Sequence, residues 1–249
     1  MQIRPDVEQS DDAGRPAAFP AAAPASPASH ESIRENDWEA FRDVNFMENH
    51  WGRNQDAADQ ESYYWYLTFD DPKLSAVTES CQETLDADSL DWVPLDGLHL
   101  TMLRIGSTDR VTEAAIQAIA DAAKKDLNAV RSFPLTIGPL AGSRGAVRFS
   151  VAPWSELLDL HRIARTATAE VLPEAVIAET DNFRPHLGIG YSNRRQQAEP
   201  IISKVCQLRG IPPVSVHVDT IRIVRLRREG RVYRWRDVVA IGLEPTGDA

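Results

Sequence analysis

The chain has 249 residues, 43% of them hydrophobic and 26% charged, the composition of an ordinary soluble protein with ample length for a core. Its formal net charge of −10 is unevenly spread: residues 1–62 hold 13 acidic and 5 basic side chains, residues 63–249 hold 24 and 22. A near-neutral body excludes a general polyanion binder, no apolar run approaches the roughly 18 residues of a membrane span, and the N-terminus lacks the apolar core of a secretory signal.

Residues 1–36 read as a disordered acidic tail, because Ala17 to Ser29 is almost wholly Ala, Pro and Ser and cannot bury enough surface to offset chain entropy. Residues 37–62 bring in Trp38, Phe41, Phe46 and Trp51 among acids, a pattern that suits a segment docked on the folded body or an element for a partner. The globular part is expected over 63–249. It opens with the aromatic strand Tyr63–Phe69, and Asp70-Asp71-Pro72 then starts a helix to about Leu85. Leu90–Val93 leads into a strand through His99 that ends near Gly106, with Ser107, Thr108 and Asp109 as cap candidates for the next helix. In that helix Ile116, Ile119, Ala120, Ala123, Leu127 and Val130 recur on one face. A hairpin follows, Phe133–Ile137 and Ala146–Val151 around a glycine-rich turn at Gly138–Gly145.

The order then recurs. A helix over Trp154–Val171, with Ser155 as its cap, precedes a strand through His186 and a helix over about Gln196–Leu208. Two strands, Val214–Arg227 and Tyr233–Leu243, joined at Glu229-Gly230, close the chain. Each half reads helix, histidine-bearing strand, helix, paired strands, which suggests a duplication. Cys81 and Cys206 fall in expected helices and read as reduced core thiols, which implies a cytoplasmic location.

Two stretches carry the chemistry: Leu98-His99-Leu100-Thr101-Met102 and Pro185-His186-Leu187-Gly188-Ile189, their histidines 87 residues apart. Strand alternation puts His99 and Thr101 on one face, and Arg184, His186, Gly188 and Gly190 on another, with Leu187, Ile189 and Tyr191 behind. Facing lobes that each offer one imidazole from a central strand suit general acid–base work, since one neutral ring takes a proton while the other, protonated, gives one. A lone strand histidine is more often structural; the matched pair is what shifts the balance.

The paired motifs and the duplicated layout resemble the two-histidine (2H) phosphoesterases, specifically the 2′-5′ RNA ligase-like branch, over about residues 61–243. The resemblance implies a two-lobed α+β fold with a central cleft between antiparallel-rich sheets. It also implies a metal-independent phosphodiesterase that needs no cofactor and acts on a 2′,3′-cyclic phosphate or a 2′-5′ linkage. The partner would be a nucleotide or RNA end carrying phosphate, with no metal and no membrane involved. Carried over, His186 would activate the attacking water, His99 would protonate the departing ribose oxygen, and Thr101 would hold a nonbridging oxygen, the histidines exchanging roles in reverse. Gly188 stands where the family has Thr or Ser. A backbone amide or water at Gly188, or Tyr191, Ser192 or Arg184, is then the candidate to replace that hydroxyl, with Gly188, Arg184 and Tyr191 as substrate-binding residues.

Seven arginines between Arg222 and Arg236 are either a solvated edge or a phosphate-contacting rim; alternation divides them between both faces, which weakens the rim. His161 reads as a core or boundary residue, His217 has no recognisable partner, and His30 and His50 read as chemically idle. Two rival functions stay open: a nucleotide- or RNA-binding module without turnover, and an interaction protein working through its acidic, aromatic N-terminal segment.

Overall fold

The computed structural model describes residues 20, 22–52, 60–175 and 177–245, and its first element lies partly in the expected tail. Helix α1 spans His30–Arg42, capped by Ser29, whose side chain accepts from the Ser32 amide. Ile33, Asp37 and Phe41 are buried along it at steps of four. Residues 30–36 are therefore helical rather than disordered; residues 1–19 and 21 lie outside the described residues. The acid at the centre of the buried stripe hides it from an apolar-periodicity reading. Strand β1 (Phe46–Met47) and a 3-10 turn at His50–Gly52 follow, with Met47 and Trp51 buried.

The body then runs β2 (Ser62–Thr68), α2 (Pro72–Leu85), β3 (Leu90–Trp92), β4 (His99–Ser107), α3 (Glu113–Leu127), β5 (Phe133–Gly142), β6 (Ala146–Ala152) and α4 (Trp154–Val171). It continues through β7 (His186–Ser192), β8 (Gln196–Gln197), α5 (Glu199–Leu208), β9 (Val214–Val218), β10 (Thr220–Glu229) and β11 (Val232–Gly242). Local chemistry explains the helix starts. Asp71 accepts from the Leu74 amide with Pro72 in the first turn, and Thr112 accepts from the Ala115 amide. Thr112 thus caps α3 in place of the earlier candidates at 107–109. Ser155 does not cap α4, which begins after Pro153.

Two antiparallel sheets form the lobes, one ordered β11-β10-β2-β4 and the other β3-β7-β6-β5-β9. The first sheet joins strands from both ends of the body; the second is built from its middle. Helices α3 and α4 pack on the first sheet, where the Trp65 indole donates to Thr168 Oγ1 at 3.2 Å. Helices α2 and α5 pack on the second, and Gln82 of α2 donates to the Val93 and Ile189 carbonyls. The expected strand 214–227 is two strands in different sheets, because buried positions change from Val214, Val216 and Val218 to Ile221 and Ile223 across Asp219. Strand β4 is an edge of its sheet rather than its centre, and lies against β7 of the other. Among the described residues no helix is long and apolar enough to cross a membrane.

Helix α1 lies over β5 and β6. A Cβ added at Gly142 would collide with the Phe41 ring, whereas at Gly210 it would meet open space. Gly142→Ala is expected to cost about 1–3 kcal/mol through overpacking and Gly210→Ala almost nothing, read by thermal melts. Equal melting temperatures would show that Phe41 does not hold this contact.

Candidate active site

Each histidine opens its strand after a 3-10 turn, at Leu95–Gly97 before His99 and at Thr180–Asn182 before His186. His99 Nδ1 donates to the Gly97 carbonyl at 2.9 Å, and His186 Nδ1 donates to the Arg184 carbonyl at 2.8 Å. A carbonyl only accepts, so Nδ1 holds the proton in both neutral rings and Nε2 carries the lone pair. The same bond to the carbonyl two residues back recurs in both halves of the chain.

His99 is 8% exposed and lies face to face with Tyr66, centroids 4.5 Å and planes 9° apart; Trp235 meets it edge-on at 5.1 Å. Thr101 lies opposite Tyr66 in the β2–β4 ladder, and its hydroxyl favours the ionised Tyr66 phenol, though burial raises the Tyr66 pKa overall. Burial lowers the His99 pKa to about 4, against the Gly97 carbonyl, which favours the charged ring. His186 is also lowered to about 4, by burial first and then by the Arg148 guanidinium. The Arg184 carbonyl and the Asp37 carboxylate pull it upward, and His99 pushes it down, so the two imidazoles sense one another.

On β7, His186 lies opposite Ser150 and Gly188 opposite Arg148. A register shift after Arg148 then places Tyr191 opposite Ala146, and the bulge turns its side chain to the Gly188 side. A Cβ at Gly188 would be 3.5 Å from the Tyr191 hydroxyl, an ordinary contact. Simple alternation puts Tyr191 behind the site; the bulge reverses that. The Tyr191 hydroxyl is held protonated, its pKa raised by burial and by Tyr233. Arg184 is not brought to this group: its guanidinium donates to the Pro20, Asp181 and Phe183 carbonyls, and its contribution is the backbone oxygen that holds His186.

A small open pocket borders His99 and Tyr191 and is walled by Trp92, Pro94, Arg231 and Tyr233. His50, expected to be idle, stacks on Tyr191 at 4.1 Å, and its Nε2 pairs with the Tyr233 hydroxyl at 3.0 Å. Trp51 packs beside both tyrosines and donates to Asp91 at 2.7 Å. The seven arginines of β10, β11 and their turn all have partners, including Asp237 for Arg222, Glu61 for Arg225 and Asp96 for Arg234. Arg227, Arg231 and Arg236 pair with Glu229, Asp91 and Glu113, and Arg228 donates to the Gly230 and Trp51 carbonyls. His161 is a packed residue bonded to Thr180 and stacked on Phe183, and His217 is exposed on β9.

Sequence reading missed Tyr66, Trp235, Arg148, Ser150 and Asp37. Cross-strand registers that join residues far apart bring them in, and no local motif marks them. Among the described residues no group of three His, Cys, Asp or Glu side chains is placed to hold a metal.

The profile of the 2′-5′ RNA ligase superfamily matches residues 66–230. Among solved structures, Escherichia coli LigT complexed with 3′-AMP is similar at a TM-score of 0.54 and 16% identity, over 74% of this chain and 98% of that one. A structure of LigT complexed with ATP gives 0.54 at 15% identity, over 75% and 99%. The protein TT0787 of Thermus thermophilus gives 0.56 at 18% identity, over 75% and 99%. No curated protein sequence matches the chain.

Proposed function

This chain belongs to the 2′-5′ RNA ligase superfamily, and we propose that it is a metal-independent phosphodiesterase opening 2′,3′-cyclic phosphates, or cleaving 2′-5′ linkages, at a nucleotide or RNA end. The observation that carries this reading is the matched pair of histidines, each with Nδ1 tied to the carbonyl two residues back, so that Nε2 carries the lone pair proton transfer needs. LigT has been seen with 3′-AMP and with ATP, which supports a nucleotide-type ligand. Cys81 is a buried free thiol, and Cys206 is free but exposed rather than in the core; unpaired thiols suit the reducing, cytoplasmic setting proposed.

In the hydrolytic direction His186 Nε2 takes a proton from water as its oxygen bonds to phosphorus. The bond from phosphorus to the ribose 3′ oxygen breaks, and His99 Nε2 gives that oxygen a proton, leaving a 2′-phosphate. Both rings are neutral in the free protein near pH 7, so the base is ready and the acid must gain its proton. An anionic phosphodiester beside His99 supplies the opposite charge that raises its pKa. Thr101 and Tyr191 offer hydroxyls to the nonbridging oxygens, Tyr191 serving in place of the side chain Gly188 lacks. The rival reading, a binding module without turnover, is favoured by that same glycine. Incubation with 2′,3′-cyclic nucleotides in EDTA separates them: the enzyme yields 2′-nucleotides at an undiminished rate, the module binds and yields none.

Tyr191→Phe should lower turnover by about ten- to a hundredfold, the worth of a hydroxyl bond to a charged oxygen felt in the transition state. Gly188→Ser in the Tyr191→Phe background should restore part of it, and Gly188→Ala should not. An unchanged rate for Tyr191→Phe would remove that hydroxyl from the mechanism.

A further inference from the structure

We propose that Arg148 and Ser150 form an oxyanion subsite beside His186, and that helix α1 keeps it filled with the chain's own Asp37 carboxylate. The inference rests on His186 facing the reaction cleft, as in the function proposed above. Arg148 Nη2 donates to Asp37 Oδ1 at 2.8 Å and Ser150 Oγ donates to Asp37 Oδ2 at 2.7 Å. Arg148 and Asp37 are each 1% exposed and Ser150 is fully buried. In the β6–β7 ladder Ser150 lies opposite His186 and Arg148 opposite Gly188. Cross-strand partners share a face, so Asp37 approaches from the side on which His186 projects.

Two oxygens of one anion, one held by a guanidinium and the other by a hydroxyl, is the pattern that would receive two nonbridging oxygens of a phosphodiester. A phosphate placed there would lie against Gly188, which has no side chain of its own, and beside the Tyr191 hydroxyl. The helix that supplies Asp37 lies outside residues 66–230, the part that matches the family profile. The same N-terminal segment returns to the site at His50, which stacks on Tyr191. It is held by Ile33, Phe41 and Met47 in the core, by β1 paired with β8, and by Arg209 over Trp38 and on the Arg34 carbonyl, none of them a ladder of the four- or five-stranded sheet. A ligand that takes the subsite must therefore displace Asp37, and with it α1, without unfolding the sheets.

The test is competition between inorganic phosphate and α1 in the full chain. Phosphate binding is measured by calorimetry on the wild type and on Asp37→Asn, and hydrogen exchange of the amides of residues 30–42 is followed in the wild type with and without saturating phosphate. Asp37→Asn should bind phosphate at least tenfold more tightly, and saturating phosphate should speed exchange across α1 at least tenfold. If Asp37→Asn does not fold, the wild-type exchange result decides alone. Phosphate that binds the wild type while α1 exchange stays unchanged or slows overturns the subsite and leaves the phosphodiesterase reading in place. Absence of binding by both folded proteins, of phosphate and of 2′-nucleotides alike, overturns the subsite together with the reading it rests on.

Discussion

His99→Ala and His186→Ala are each expected to lower turnover of a 2′,3′-cyclic phosphate by about 10²–10⁴-fold, the usual worth of one positioned acid or base. The reason lies in the preset tautomer. With Nδ1 committed to the Gly97 or Arg184 carbonyl, each ring has a single nitrogen for proton transfer, and no neighbouring group duplicates it. Tyr66 stacks on His99 but is held neutral by burial, its pKa pushed further up, so it does not deputise as a base near pH 7. The two replacements should also be strongly non-additive, the double variant being little worse than either single one, because proton uptake and proton delivery act as a unit. Initial rates with each variant, alongside circular dichroism to show retained fold, decide the matter. Losses below tenfold, or losses that multiply, would assign the chemistry elsewhere.

Acid should destabilise the fold well before its carboxylates titrate. His99 and His161 are 8% and 1% exposed, and burial holds the pKa of each at about 4. In the unfolded chain an imidazole titrates near 6.5. Between those values the unfolded state binds protons that the folded state refuses, so stability is fully present above about pH 6.5 and falls as pH drops toward 4. Each of the two contributes a loss of roughly 2 kcal/mol by pH 5, and His186, shifted in the same direction, adds to it. Urea midpoints at pH 7.5, 6 and 5 would show the fall. His161→Leu should flatten it partly without touching the cleft. A midpoint constant from pH 7.5 to 5 would mean that these rings are charged in the folded protein.

The elements of the body are legible in the sequence wherever one face repeats. The α3 stripe, the aromatic strand β2 and the two histidine strands follow from spacing alone, because local periodicity determines which side is buried. The break at Asp219 was missed: the buried phase moves from Val214, Val216 and Val218 to Ile221 and Ile223 and back to Val224 and Leu226 past an irregularity, so no single alternation marks it. What resisted reading were features set by pairing across distance. The bulge that turns Tyr191 toward Gly188 depends on β6, and the aromatic housing of His99 depends on Trp235. Asp37 resisted for a different reason, since a carboxylate in a buried stripe makes sense only once Arg148 is known to face it.

The two sheets draw on the chain so differently that the protein has an order of manufacture. The five-stranded sheet has all its strands by residue 218, so the lobe of His186 takes no strand from the closing hairpin. The four-stranded sheet waits for β10 and β11, the last strands of the body, and until they arrive β2 presents an unpaired edge that β10 will cover. Trp235 arrives with them, so His99 acquires this ring partner only when the closing hairpin emerges. A chain cut before β10 therefore carries both proposed histidines, with His186 in a sheet that has all its strands and His99 in one that lacks two. On the proposed function, turnover would double as a sign that the body is made through to its closing hairpin.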